Sequence, residues 1–396
     1  MNPPYDIVMF NMSSFQEWES GIVNRNFHVL RHMLNRPEVG RVLAVDYMPF
    51  NLKRGLKSYL ESQAFGVKGK TIYRDMTNRL VQVDESRIGR HAGKLFVYST
   101  VDTIVSENFA LRGIRRAIKK LGFQRPVLWS YTPIFVEPFR NLDVRLRVFD
   151  AVDDWRNHSA YEKQREKLEQ NYKIIGRKAD VIFTVAEDLQ LLFSEHGQAH
   201  WIPNGVDFDR WQGQFDFPDD MRSIPAPVVG YAGVIQDRVD VKLIHHLAEN
   251  NPEKSFVFVG MVWPEISKGQ FSNTKNVHFL GQKTYDDLPK YISHFHVGII
   301  PHKVDPFTQS MNPLKLYEYL ACGLPVVSTP VAGMEMFEDC VKIATDPEYF
   351  SEQIDSALDS DTPEQRLRRR RAVKPHSWDS RIEKMLELIK QQPQSV

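Results

Sequence analysis

Cysteine is nearly absent from this 396-residue chain. Two occur, Cys322 and Cys340, too few for a disulfide framework and at no metal-ligand spacing. That scarcity points to a reduced, intracellular setting. Net charge is scarce as well. Lys and Arg number 51 against 50 Asp and Glu, giving +1, which excludes a generally basic nucleic-acid binder and a self-repelling acidic chain. Gly and Pro, 21 and 23, stay at ordinary levels and exclude a collagenous or low-complexity class. Long hydrophobic runs are missing too. The most apolar stretch, Phe256 to Trp263, falls far short of the ~20 residues a membrane-spanning helix needs. The start, Met1-Asn2-Pro3-Pro4-Tyr5-Asp6, shows no basic segment leading into an apolar run, so no signal peptide is expected. The expected location is the cytoplasm, with any membrane contact peripheral and on the inner face.

What is present is apolar content of 42%, enough for substantial cores in two domains. Short apolar runs alternate with helical patterns, the mark of parallel βαβ units. In the first half Asp6–Phe10, Val42–Val45, Val127–Trp129, Arg147–Phe149 and Val181–Val185 read as strands, with helices over Val23–Leu34, Phe109–Leu121 and Tyr161–Arg177. The second half restarts with strands at Val228–Tyr231, Ser255–Val259, Val277–Leu280, Val297–Ile300 and Pro325–Ser328. Its helices are expected over Val241–Asn250, Asp286–Ser293 and Pro313–Ala321. Asn204-Gly205 and the Pro, Asp and Gly residues up to Pro227 break the pattern. The expected class is therefore α/β: two doubly wound Rossmann-like domains, 1–205 and 206–376, facing a cleft. A last helix in 377–396, with Trp378, Ile382, Met385, Leu386 and Ile389 on one stripe, is expected to return to the first domain.

The run from Thr308 to Thr329 is the most informative. Asn312 suits an N-cap, Pro313 the first helical position, and Gly323 a left-handed helix end before Pro325 opens a strand. Lys315 then falls at the third helical position, near the positive end of the helix dipole, where a phosphate is favoured. Glu318 sits one turn on, where its oxygens can accept from two ribose hydroxyls. The plainer alternative is a surface i,i+3 pair contributing roughly 0.2–0.5 kcal/mol.

Pro313, Lys315, Glu318, Ala321, Gly323, Pro325, Val326 and Val327 stand in the register of Pro-x-Lys-x-x-Glu-x-x-Ala-x-Gly-x-Pro-Val-Val. This resembles the nucleotide-sugar site of glycosyltransferases with the GT-B fold. Ala179–Val185 followed by Ile202–Asp207 resembles the end of that family's N-terminal domain, and Val228–Gly233 the first strand and glycine turn of its C-terminal domain. The resemblance implies an acceptor-side first domain and a donor-binding second one. It places Gly233 against the donor diphosphate and Phe279, Leu280 and Tyr285 at the nucleobase; an ordinary turn and core packing are the alternatives. Two departures stand out. Met311 occupies the position where many retaining members carry an acid, and the basic pair after the glycine turn is reduced to Arg238, with Lys242 four residues on. With Asn312, Lys315 and Glu318, these complete the expected donor set. The departures are closer to polysaccharide-assembly members, of the exopolysaccharide, teichuronic-acid and glucuronosyltransferase-like kind.

For the chemistry, the resemblance favours Asp153 and then Asp154, in Phe149–Trp155 after a strand, as the base of an inverting reaction. Their alternative role is capping the following helix. Trp18 and Arg25, after the first strand, suit sugar stacking and phosphate contact on the acceptor side; a packed Trp beside a surface Arg is the alternative. Lys53, Arg54 and Lys57 lie on an amphipathic pattern with Leu52, Leu56, Tyr59 and Leu60 that suits an anionic membrane or simply covers a core. Arg366 and Arg368–Arg371 form a second basic run, either a solvated face or a draw toward phospholipid. Asp207-Phe208-Asp209 reads as turn chemistry, and His294 and His296 as structural, so no metal is expected. The expected activity is transfer of a sugar from a nucleotide diphosphate, UDP by family habit, to a saccharide or polyprenyl-diphosphate-linked saccharide in surface polysaccharide synthesis. No cofactor is implied, since the nucleotide sugar is a substrate, and no nucleic acid is a partner. A nucleotide-sugar epimerase of the same fold and a non-catalytic sugar-nucleotide-binding protein are the rivals.

Overall fold

The computed structural model describes residues 4–46, 48, 55, 67–195, 199–263, 266 and 274–393. Residues 1–3 and the basic stretch at Lys53, Arg54 and Lys57, with Leu52, Leu56, Tyr59 and Leu60, lie outside it. The chain divides into two compact units, Met1–Ile202 with Ile382–Val396, and Pro203–Arg381.

The first unit is built on one sheet. Its strands are β1 (Tyr5–Phe10), β2 (Val39–Val45), β3 (Lys70–Arg74), β4 (Asn78–Ser86), β5 (Gly89–Thr100), β6 (Val127–Ser130), β7 (Leu146–Ala151), β8 (Val181–Thr184) and β9 (Ala199–Trp201). Their order is β3-β4-β5-β2-β1-β6-β7-β8-β9. The order reverses at β1, flanked in parallel by β2 and β6, as in doubly wound folds. The expected purely parallel pattern needs one correction. β4 runs antiparallel to β3 and β5, so a meander extends one edge of the sheet. Residues 78–86 alternate imperfectly, with Leu80 and Val81 both buried and a register shift after Val83, which hides the strand period of two. The closing helix Trp378–Lys390 buries Trp378, Ile382, Met385, Leu386 and Ile389, all five residues of the expected stripe. Lys390 at its end pairs with Glu38 at 3.1 Å.

The second unit carries β10 (Val228–Ala232), β11 (Ser255–Val259), β12 (Val277–Gly281), β13 (Val297–Ile300), β14 (Val326–Ser328) and β15 (Val341–Ile343), all parallel. Their order, β12-β11-β10-β13-β14-β15, is the three-two-one-four-five-six arrangement of a Rossmann-like sheet. Continuous apolar strands such as Val228–Ala232 and Ser255–Val259 are buried throughout, as a sheet covered on both faces requires. The order reverses between β10 and β13, and the carboxyl ends of these strands are where such sheets receive ligands.

The helix Pro363–Val373 holds the second basic run, and the structure uses most of it internally. Arg369 Nε donates to the carbonyl of Gly323 at 2.9 Å and Arg370 to that of Cys322 at 2.9 Å, satisfying the open end of the helix Leu314–Cys322. Arg366 and Arg369 both pair with Asp361, and Arg368 with Asp339. Arg371, the last of the five, is exposed on a solvated face.

Candidate functional site

Three glycines finish three neighbouring strands of the second unit. Gly233 follows β10, Gly260 follows β11 and Gly281 ends β12, with φ of 143°, 153° and 72°. Gly233 donates its N–H to the carbonyl of Val259, and Gly260 to that of Gly281, each at 2.9 Å. The sheet edge is therefore held as bare backbone. A Cβ on Gly260 would fall 2.0 Å from the carbonyl oxygen of Gly233, and one on Gly233 would crowd Lys315 Cε at 3.2 Å. Gly260→Ala should accordingly destabilise by roughly 3 kcal/mol or more, through strain at positive φ plus the clash. Gly122→Ala is the control, since Gly122 has positive φ but open space around it, and should cost about 1 kcal/mol. Urea unfolding of the two variants separates them; equal costs would mean that the edge tolerates a side chain.

The helix Leu314–Cys322 starts one residue later than the sequence suggests. Pro313 is the N-cap, with no side-chain cap, and Lys315 is the second helical residue. Asn312 is committed elsewhere: its Oδ1 accepts from the N–H of Asn204 at 2.9 Å, and its carbonyl accepts from the Asn204 side chain. The expected capping role of Asn312 is thus replaced by a tether to the turn at Asn204-Gly205. Met311 is buried. Gly323 ends the helix at φ 79°, as its position predicts.

Lys315 and Glu318 are both buried, at 7% and 8% exposure, which removes the surface-pair alternative. They act on each other through space without a hydrogen bond between them. Burial pulls the Lys315 ammonium down to about 7, with Arg238 adding to the shift and Glu318 opposing it. Burial pushes Glu318 up to about 7, opposed by Lys315. The Lys315 ammonium lies 4.9 Å over the ring of Tyr231. Arg238 is half-buried, and its Nε is buried without a hydrogen-bond partner among the described residues. Two basic side chains with no hydrogen-bonded carboxylate among the described residues, beside bare glycine backbone, form a ready anion site. Lys242, by contrast, is exposed.

His302 was not singled out by sequence. It is fully buried, and burial together with Lys315 and Arg238 holds it well below the usual histidine range, so it is neutral. Its Nε2 is 3.4 Å from the Tyr231 hydroxyl, and its Nδ1 is buried without a partner among the described residues. No spacing marks it; only the strand end of β13, two residues earlier, points to it. His296 is structural as expected, its Nδ1 accepting from the N–H of Val228 at 3.0 Å.

Phe279 and Leu280 lie half-exposed on β12, the edge strand, with Phe279 stacked on Phe258 at 5.3 Å. Tyr285 is instead buried, edge-on to Trp211 at 5.9 Å and under Arg210 at 4.7 Å, so core packing takes the place of its expected contact with a base. Arg210 also pairs with Asp207 and Asp286, which leaves Asp207-Phe208-Asp209 at the start of a 3₁₀ turn. Among the described residues no group of three His, Cys, Asp or Glu side chains is placed to hold a metal.

In the first unit, Asp154 is consumed by capping. Its carboxylate accepts from the Arg156 N–H and guanidinium, at 2.7–3.1 Å, and from Asn157 at 2.9 Å. Asp153 is half-buried, and its backbone carbonyl accepts from the Tyr172 hydroxyl at 3.2 Å. Trp18 and Arg25 depart from their expected acceptor-side roles. Trp18 is fully buried against Phe15 and Phe27, and Arg25 is fully buried with its Nε on Asp150 at 2.9 Å. An aromatic ring packed on both sides cannot stack on a sugar, and a guanidinium inside the core cannot meet a phosphate.

Residues 238–387 match a family model described as glycosyl transferase-like. A Bacillus subtilis (strain 168) protein, TuaH, named for glycosyl transfer in teichuronic acid biosynthesis, is 29% identical over 202 residues, 46% of this chain and 50% of that protein. The chain thus matches about half the length of this relative. Among solved structures, Anabaena HepE in complex with UDP and glucose superposes with a TM-score of 0.67 at 14% identity, covering 98% of this chain and 100% of HepE. An α,α-trehalose 6-phosphate synthase of Burkholderia multivorans gives 0.64 at 12% identity, with 98% of each chain covered. At these identities the likeness establishes the fold alone, the GT-B class with two Rossmann-like domains. The family match independently falls on the segment that contains Arg238, His302, Lys315 and Glu318.

Proposed function

We propose that this protein is a glycosyltransferase that moves a sugar from a nucleoside diphosphate to a saccharide acceptor. The observation that carries the reading is the pair of basic side chains, Lys315 and Arg238, beside the Gly233 edge, with Glu318 buried one helical turn from Lys315. UDP is the nucleotide of choice, supported by its presence in the HepE complex. Lys315 and Arg238 would neutralise the diphosphate, Glu318 would accept from the ribose hydroxyls, and the open backbone edge at Phe279 and Leu280 would meet the base. The acceptor class we favour is a lipid-linked saccharide in surface polysaccharide assembly, supported by the teichuronic acid relative.

In the inverting form of the reaction, an acceptor hydroxyl oxygen bonds to the sugar C1 as the bond from C1 to the β-phosphate oxygen breaks. The electron pair leaves on UDP, and the acceptor proton passes to a carboxylate. Asp153 is the assigned base, because the carboxylate of Asp154 is committed to its cap. General-base removal typically costs 10²- to 10⁴-fold, so Asp153→Asn should lower turnover by at least about 10²-fold while UDP binding is retained. Assay of labelled UDP-sugars with and without a saccharide acceptor checks both parts. Full activity in Asp153→Asn overturns the base. A sugar changed and UDP released without acceptor overturns the transferase in favour of an epimerase, and absent UDP binding overturns the donor site.

A further inference from the structure

The two basic runs that suggested a membrane surface carry little of it: one lies outside the described residues, and most of the other is spent inside the second unit. A third surface, in the first unit, has the required chemistry. The turn between β3 and β4 exposes Met76 at 85%, the loop after β5 exposes Val105 at 74%, and the first turn of the helix that follows exposes Phe109 at 42%. The structure joins these segments. Val101 N–H donates to the carbonyl of Thr77 at 3.3 Å, Asn78 donates to Asp102 at 2.9 Å, and Arg116 reaches Asp75 at 3.8 Å. The helix Glu107–Leu121, with Phe109 in its first turn, exposes Arg112, Arg115, Arg116, Lys119 and Lys120 and carries a single acid, Glu107; Arg115 also donates to the carbonyl of Asn141. Glu107 is turned inward, accepting from the backbone of Val136 and Glu137. Arg112 sits 5.9 Å over the Phe109 ring, so cation and apolar surface are contiguous.

Exposed large apolar residues on one corner of a folded unit call for a partner, and a rim in which basic side chains outnumber the acids, Asp75 and Glu107, selects which. We propose that this corner docks on a bilayer surface containing anionic lipid. Met76, Val105 and Phe109 enter the headgroup boundary, while the arginines and lysines of the helix meet the lipid charge with their stems laid along the apolar surface. The density of cations, five on one helix, favours a charged lipid surface over an apolar protein groove.

The test is co-sedimentation with vesicles of phosphatidylcholine alone and of phosphatidylcholine mixed with phosphatidylglycerol, without nucleotide, so that its outcome is independent of the donor site. Binding is expected only to the mixed vesicles and is expected to be lost at high salt. Met76→Asp/Phe109→Asp and Arg112→Glu/Lys119→Glu should each weaken it on the order of tenfold or more. Both pairs are exposed, so unchanged melting temperatures verify the fold, and Arg371→Glu should bind as the parent does. Equal binding to neutral vesicles, no binding to either, or parental binding by both double variants overturns the proposal. Concentration-dependent self-association abolished by Met76→Asp/Phe109→Asp also overturns it, assigning the patch to a second copy of the chain.

Discussion

Lys315→Met should make the empty protein more stable and useless for UDP. A buried ammonium pulled from 10.5 to about 7 has been made easier to deprotonate by everything around it. At pH 7 the native fold therefore carries the cost of that site, and methionine, similar in length and apolar, removes it. A shift of that size corresponds to about 4 kcal/mol at neutral pH. Part is returned through the lost attraction to Glu318, so a net gain of about 2–3 kcal/mol is expected, or roughly 4–12 °C in Tm. UDP is expected to stabilise the parent by mass action and should no longer raise Tm in the variant. A variant melting at or below the parent, or still stabilised by UDP, overturns the assignment.

The pH dependence gives the same claim a second reading. Lys315 has a lowered native pKa, so between about 7 and 10.5 the unfolded chain holds more protons and parental stability rises with pH. Glu318 has a raised native pKa, so between 4.5 and about 7 the native state holds more protons and stability falls with rising pH. This pair places a stability minimum near neutrality in the empty protein. The advantage of Lys315→Met should be full below pH 7 and fade toward pH 10.5. UDP prefers protonated Lys315, so its binding above pH 7 takes up a proton, and affinity should drop by up to about tenfold per pH unit. Calorimetry in buffers of different ionisation heat measures that proton.

The donor helix was legible because its features are local. A Pro near the start, a Gly stop and the Lys-Glu spacing are all set within one turn or two; only the cap escaped, because Asn312 is drawn to Asn204, 108 residues away. Val241–Asn250 and the C-terminal stripe were legible for the same reason, a clean helical period. His302 was not, because its role depends on β13 lying beside β10, a pairing of residues some seventy positions apart. The glycine edge was only half legible: each strand ending in Gly could be seen, but not that Gly260 stands against the Gly233 carbonyl. The meander β3-β5 escaped because a half-exposed antiparallel edge carries neither an apolar run nor a regular alternation. Trp18 and Arg25 are ambiguous in the sequence for a related reason. A polar or aromatic residue after the first strand of a doubly wound sheet points either to the ligand side or under the covering helix, and the spacing of Trp18 and Arg25 is the same in both cases. Here the partner that decides is Asp150, 125 residues away.

That partner sets the second large effect. Arg25 and Asp150 form an ion pair with both side chains at 0% exposure, between the helix Arg25–Leu34 and the end of β7. Burial holds the Asp150 carboxyl above the usual carboxylate range even against the opposing pull of Arg25. Such a pair contributes little beyond what apolar side chains of the same volume would, yet it is costly to break from one side. Arg25→Leu leaves the buried Asp150 carboxylate with no cation and only the Trp129 and Tyr131 side chains beside it, Asp150→Leu takes the carboxylate from Arg25, and each should destabilise by about 3–5 kcal/mol. The double variant Arg25→Met/Asp150→Leu should recover most of that loss, giving a coupling of several kcal/mol where independent sites would add. The single variants differ in pH response. In Arg25→Leu the orphan carboxyl can take up a proton, so its deficit should shrink as pH falls toward 5, whereas the guanidinium left by Asp150→Leu cannot lose one and its deficit should stay flat. Urea unfolding across pH reads both. Additive losses in the double variant would mean that the two residues act on separate elements, and a flat deficit in Arg25→Leu would mean that the Asp150 carboxylate finds another donor in the core. Because Lys315, Arg238 and Glu318 belong to the other unit, UDP affinity of the folded fraction should be unchanged in all three variants. Arg25, which its place after the first strand suits to phosphate contact, is thereby separated from the proposed donor site by measurement.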